Sequence, residues 1–385
     1  MPDPMLILGA TAAAGVVAAV LMLLSVGPAR QVAAAPSAVP ARRSALATCA
    51  EVLAVAGGMT IGCWWLGIRP SSPPVEDKDR LLFVLLPAAG VVEILAAVLQ
   101  RRPWFGRILR LLLALPLPFL LLFGSGWLPS RWTPGGDPAA PSTWTEQEAL
   151  RNLVGLGALL AGVWGLLVWA AQRAGGFVVP AALGLISATA GATIMLSGYA
   201  TGGMIGLPFA GVAAGALLVC LLFARRHSMT GLVGVGTVLL FGLLMAGEFF
   251  GELTTTNFAL LIAAPVVCGL IALPPLQKLK AAVRFVVVLV AALVPAGVAV
   301  GLAQRSFAAA TDESSMYDGA GGSDAPAFGG TPSGAAAPTP ATEPASSTTP
   351  KSPGIPRDPG ADEPGAGAGP QRGSAPIDPG AESKN

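Results

Sequence analysis

The chain has 385 residues, of which 53% are apolar and only 11% charged, with a formal net charge of +2. Soluble domains carry about 25% charged residues, and a mean hydropathy of +0.68 excludes that class. The apolar residues fall in blocks of roughly 20, the length that crosses a ~30 Å hydrocarbon core.

The pattern predicts an all-α polytopic bundle of about ten transmembrane helices. Backbone groups in lipid must pair within their own segment, so every span is expected to be a helix. The predicted spans are Met5–Val26, Leu46–Ile68, Leu81–Leu99, Ile108–Trp127, Leu153–Ala171, Phe177–Tyr199, Met204–Phe223, Met229–Phe249, Phe258–Leu276 and Ala281–Ala303. Pro116 and Pro118 interrupt the fourth, Pro265 and Pro274–Pro275 punctuate the ninth, and Pro295 falls within the tenth.

The first span is read as a helix rather than a cleaved signal peptide. Ala33, Ala34 and Ala35 offer small residues for cleavage, but Met1–Pro4 carries no Lys or Arg, and the apolar run exceeds the usual 7–15 residues. The four cysteines, Cys49, Cys63, Cys220 and Cys268, all lie inside apolar blocks. None is in a CxxC pair, so helix packing is the expected role rather than a disulfide or zinc site.

The signs of charge are segregated. Odd-numbered loops hold Arg30, Arg42 and Arg43; Arg101, Arg102 and Arg107; Arg173; Arg225 and Arg226; Lys278 and Lys280, without Asp or Glu. Even-numbered loops mix Arg69, Lys78, Arg80, Arg131 and Arg151 with Glu76, Asp77, Asp79, Asp137, Glu146 and Glu148. The positive-inside rule then places the odd loops in the cytoplasm and both termini outside, in a plasma (inner) membrane. Arg110 and Arg284 lie just inside adjoining spans and are expected to snorkel to the basic side. Trp64, Trp65, Trp127 and Trp169 mark span ends, and Trp132 and Trp144 the fourth loop, as interfacial anchors.

The division expected is a helical domain over 1–303 and a disordered tail over 304–385. From Gln304 on, Ala, Pro, Gly, Ser and Thr dominate and acidic residues outnumber basic ones. Such a segment cannot bury enough apolar surface to offset chain entropy. As a flexible coil of about 80 residues it would reach on the order of 50 Å. Ser346, Ser347, Thr348, Thr349 and Pro350 hint only compositionally at a glycosylated stalk.

Few residues in the spans carry chemistry. Glu51 and Glu93 form the most specific pattern. Glu51 follows Arg43 by eight positions and Glu93 precedes Arg101 by eight, so both sit roughly 12 Å from the cytoplasmic edge. Their helices are consecutive and joined by a short loop, hence expected neighbours. Glu51, Val55, Gly58 and Gly62 share one stripe, and Gly58 and Gly62 make a GxxxG pair. Ala89, Gly90, Ala96 and Ala97 flank Glu93, so both faces admit close helix packing.

Two readings of the acids stay open. In one, they share a proton or hold a cation, as a relay or transporter would. In the other, they bond to Thr48, Thr60 or backbone and fasten two helices. No Lys, Arg or His deep in the membrane is expected to supply a counter-charge. Glu248 and Glu252, with Thr254, Thr255, Thr256 and Asn257, form a second candidate, either an outward-facing acidic mouth or a solvated helix end. The sixth span is the most polar, with Ser187, Thr189, Thr193 and Ser197, and helix packing is its expected use. Gly211 and Gly215 give another GxxxG in the seventh. His227, the lone histidine, is expected in a solvated loop.

No nucleophile elbow, P-loop or HExxH appears, so the expectation is a non-enzymatic protein without a cofactor or metal. Its expected partner is the lipid bilayer, not nucleic acid, and no protein partner is specified. The functional readings are a membrane scaffold or assembly component and, as alternative, a proton- or cation-coupled small-molecule transporter using the intramembrane carboxylates. Five helices in each half would suit an inverted repeat, but the apolar first span does not match the polar sixth.

Overall fold

The computed structural model describes residues 3–34, 40–69, 71–74, 76–100, 102–132, 142–174, 177–223 and 229–320. His227, with Arg225 and Arg226, and the tail over 321–385 lie outside the described residues. Within them the protein is an all-α bundle: α1 (Pro4–Ala34), α2 (Pro40–Trp65), α3 (Asp77–Arg80), α4 (Leu86–Val98), α5 (Pro103–Ala114), α6 (Leu117–Leu122), α7 (Glu146–Ala174), α8 (Val178–Leu196), α9 (Ala200–Phe223), α10 (Thr230–Phe250), α11 (Thr255–Gly269), α12 (Pro274–Gln277) and α13 (Ala281–Ala320). A single π-helical stretch, Leu81–Leu85, joins α3 to α4.

Among the described residues nine helical segments are long and apolar enough to cross a membrane. That is the architecture of a multi-pass membrane protein. The ninth predicted span departs from the expected form: α11 has only 15 residues and ends in a 3-10 turn over Leu270–Ala272. Contacts locate its two ends. At its start, the Thr255 hydroxyl bonds Glu248 near the C-terminus of α10. At its end, Gly269 packs on Leu166 of α7. Phe285, early in α13, meets Phe177, which precedes α8. A 15-residue helix rises ~22 Å, and the 3-10 turn adds about 6 Å, a little short of the ~30 Å hydrocarbon core.

The fourth span is likewise two helices. α5 ends at Ala114 and α6 starts at Leu117 after Pro116. α6 stops at Leu122, so Trp127 does not close it. Its indole N–H donates to the Phe249 carbonyl at 2.8 Å, and its ring packs against Trp144 and Phe249. Beyond interfacial anchoring, this tryptophan ties the loop to α10. At the other extreme, α13 continues to Ala320. The change of composition at Gln304 therefore does not end the helix.

The core is built around α10. Every residue from Gly231 to Gly247 is buried, and its sequence is apolar all round, the pattern of a helix enclosed by others. α2, α4, α7, α8 and α9 surround it, α1 packs on α2 and α9, and α13 on α8 and α11. Small residues set the closest crossings. Gly15 faces Gly211 and Gly215 between α1 and α9, where a side chain would overlap the opposing backbone. The four cysteines are free thiols.

Candidate functional site

Glu51 and Glu93 are both buried, with 3% and 2% of their surface exposed. They converge on the first turns of α10. The first N–H groups of a helix lack intrahelical partners, and no side chain of the preceding Met229 caps α10. Glu51 fills that role from α2. Its Oε2 accepts from the Gly231 N–H at 2.7 Å and from the Leu232 N–H at 3.3 Å. A carboxylate there also meets the positive end of the helix dipole. Of the partners expected for a fastening role, the backbone is the one found here. The Thr60 hydroxyl instead donates to its own helix at the Ala56 carbonyl.

Glu93 has a different set of partners. The Arg110 Nε–H donates to Oε1 at 2.8 Å and an Nη2–H to Oε2 at 2.6 Å, the two-pronged geometry that guanidinium and carboxylate share. The Trp164 indole N–H donates to Oε1 at 2.7 Å. Two expectations are corrected here. An arginine does supply a counter-charge within the spans, and Arg110 does not snorkel outward. It turns inward because α5 lies tightly against α4, with Gly106 facing Ala96, and the α5 C-terminus lies against Gly157 of α7. Those approaches bring α4, α5 and α7 together around one carboxylate.

Glycine makes room for both acids. A methyl at Gly231 would stand 2.9 Å from Glu51 Oε2, and one at Gly234 would overlap the Glu93 carboxyl group. The two glycines are three residues apart, so both acids meet α10 within its first five positions. The sequence contained signals for this arrangement. Trp164 lies mid-span, away from the interface where tryptophan usually finds a partner, and Gly231 and Gly234 share a face at i and i+3.

A cavity of about 900 Å³ adjoins the Glu93–Arg110 pair. Gln100, Arg107, Arg110, Trp169 and Gln172 line it beside Glu93, with Thr230 of α10 and an apolar wall from α7. The Arg173 guanidinium stacks on Trp169 at 4.5 Å. A second cavity, of about 740 Å³, is an apolar groove between α2 and α4 that includes Met59, Cys63 and Leu86.

The outer-end residues sit otherwise than expected. Glu248 is half-buried and accepts from Thr255 at 2.8 Å, while its other oxygen is buried with no hydrogen-bond partner. Glu252 lies past the end of α10, so it does not share a helix face with Glu248; its N–H donates to the Ser197 carbonyl. Thr254 caps α11 by accepting from the Asn257 N–H. In α8, Thr189 and Thr193 bond back to their own helix, and Gly191 packs on Gly203 and Gly206 of α9. Asp77, expected in a loop, starts α3 and accepts from the Tyr199 hydroxyl at 2.8 Å. Among the described residues no group of three or more His, Cys, Asp or Glu is placed to hold a metal ion.

Comparison with protein-family models, with curated proteins and with solved structures yields no match.

Proposed function

We propose that this protein is a non-catalytic integral membrane component, a scaffold or assembly component. In this reading Glu51 and Glu93 fasten the surrounding helices to α10 and carry no protons in a reaction. The observation that supports it is the division of partners: Glu51 is held by α10 backbone N–H groups, and Glu93 by Arg110 and Trp164. A shared-proton pair would need the two carboxyls to face each other without such a counter-charge. The charge segregation of the loops supports a plasma (inner) membrane location with both termini outside.

The second reading, a coupled transporter, draws on one observation, the large cavity that reaches Glu93 and Arg110. Proteoliposomes holding a pH-sensitive dye separate the two. Under an imposed potential, the scaffold reading expects the same proton leak as in protein-free vesicles, and the same leak from Glu51→Gln and Glu93→Gln. Proton flux that vanishes with Glu93→Gln, in variant protein verified as folded, would establish the transporter and overturn the scaffold.

A further inference from the structure

We propose that the cavity beside the Glu93–Arg110 pair binds the anionic head of a phospholipid, recognised through its phosphodiester, with the acyl chains leaving along α5. Charge is the first argument. Among the described residues lining the cavity, Glu93 is the only acid, and it is already engaged by Arg110. Arg107 is one helical turn earlier on the same face. It is exposed, and no acidic side chain pairs with it among the described residues. The cavity therefore carries an excess positive charge. Guanidinium groups match phosphate oxygens in two-pronged hydrogen bonds.

Depth and shape give the second argument. Gln100 and Arg107 stand at the Lys/Arg-rich end of the bundle, the level of lipid headgroups, where basic pockets between spans suit anionic lipids. Leu111 and Leu166 also line the cavity. Leu111 and its neighbour Leu112 are 44% and 64% exposed on the outer face of α5. A ligand with chains can cover this apolar path, whereas a free phosphate would fill a small part of the volume and leave the wall bare.

The test uses the full chain in nanodiscs of phosphatidylcholine doped with phosphatidylglycerol brominated on its acyl chains, which quenches nearby tryptophan. The difference between the wild-type signal and that of Trp169→Phe isolates the cavity. The expected result is quenching that saturates at a low fraction of brominated phosphatidylglycerol, while brominated phosphatidylcholine gives only a linear rise. Arg107→Gln should weaken the saturable phase roughly fivefold. Gly165→Leu should abolish it, because Gly165 lines the cavity and a Cβ there meets no atom within 4 Å. If Arg107→Gln fails to fold, the Gly165→Leu result decides alone. Equal quenching by the two lipids, or affinity unchanged in both variants, overturns the proposal. Displacement of the brominated lipid by millimolar inorganic phosphate would assign the site to a soluble anion and overturn the lipid assignment.

Discussion

Arg110 and Glu93 meet through two parallel hydrogen bonds of 2.8 and 2.6 Å, with the arginine side chain 14% exposed and the glutamate 2%. Breaking a buried pair leaves one uncompensated charge, which costs about 3–5 kcal/mol. Glu93→Gln and Arg110→Gln should each lower the unfolding free energy by that order. The double variant should recover part of the loss, since neither side then carries a charge. Denaturant unfolding in micelles would check this. Arg110→Lys should not rescue fully, because an ammonium lacks the planar fork.

Gly234 of α10 and Gly165 of α7 make a matched contrast. Gly234→Ala places a methyl into the Glu93 carboxyl group and should destabilise by about 1–3 kcal/mol. Gly165→Ala meets open space and should be neutral or stabilise by about 0.5–1 kcal/mol through helix propensity. Comparing the thermal midpoints of the two variants tests the packing directly. An equal loss in both would mean that α10 does not approach Glu93 as described.

Glu51 acts on α10 through an oxygen acceptor. Glu51→Gln keeps that acceptor and should cost no more than about 1 kcal/mol, the share of a charge at a helix end. Glu51→Leu leaves the Gly231 and Leu232 N–H groups without it and should cost about 1–3 kcal/mol. The ordering Gln above Leu in unfolding free energy is the expected outcome.

Orientation can be tested separately. Reporter fusions after Arg226 and after Asn385 should report opposite sides, with Arg226 cytoplasmic. A cytoplasmic signal from the C-terminal fusion would sink the charge argument.

Helical spans were legible because lipid leaves the backbone few alternatives, and apolar blocks of span length mark them. α11 was less so: its prolines pointed to a break, but the sequence did not show that the helix stops after 15 residues in a 3-10 turn. That Glu51 and Glu93 lie on closely packed, buried helix faces could be read from the small residues around them. Their partners could not. A residue such as Arg110, just inside a span, reaches water or a buried acid from the same sequence position. Its two hydrogen bonds to Glu93, a tertiary contact, hold it inward. The Glu51 cap on α10 joins residues 180 positions apart, beyond the reach of local pattern.

The central claim is that the two acids are held separately, each by its own partners around α10. A double-mutant cycle on unfolding free energy with Glu51→Gln and Glu93→Gln tests it most directly. Residues without a shared interaction add within about 0.5 kcal/mol, and that additivity is the result expected. A coupling of about 1 kcal/mol or more would show that the carboxyls act on each other as a pair, contradicting the structural account and favouring the proton-coupled one.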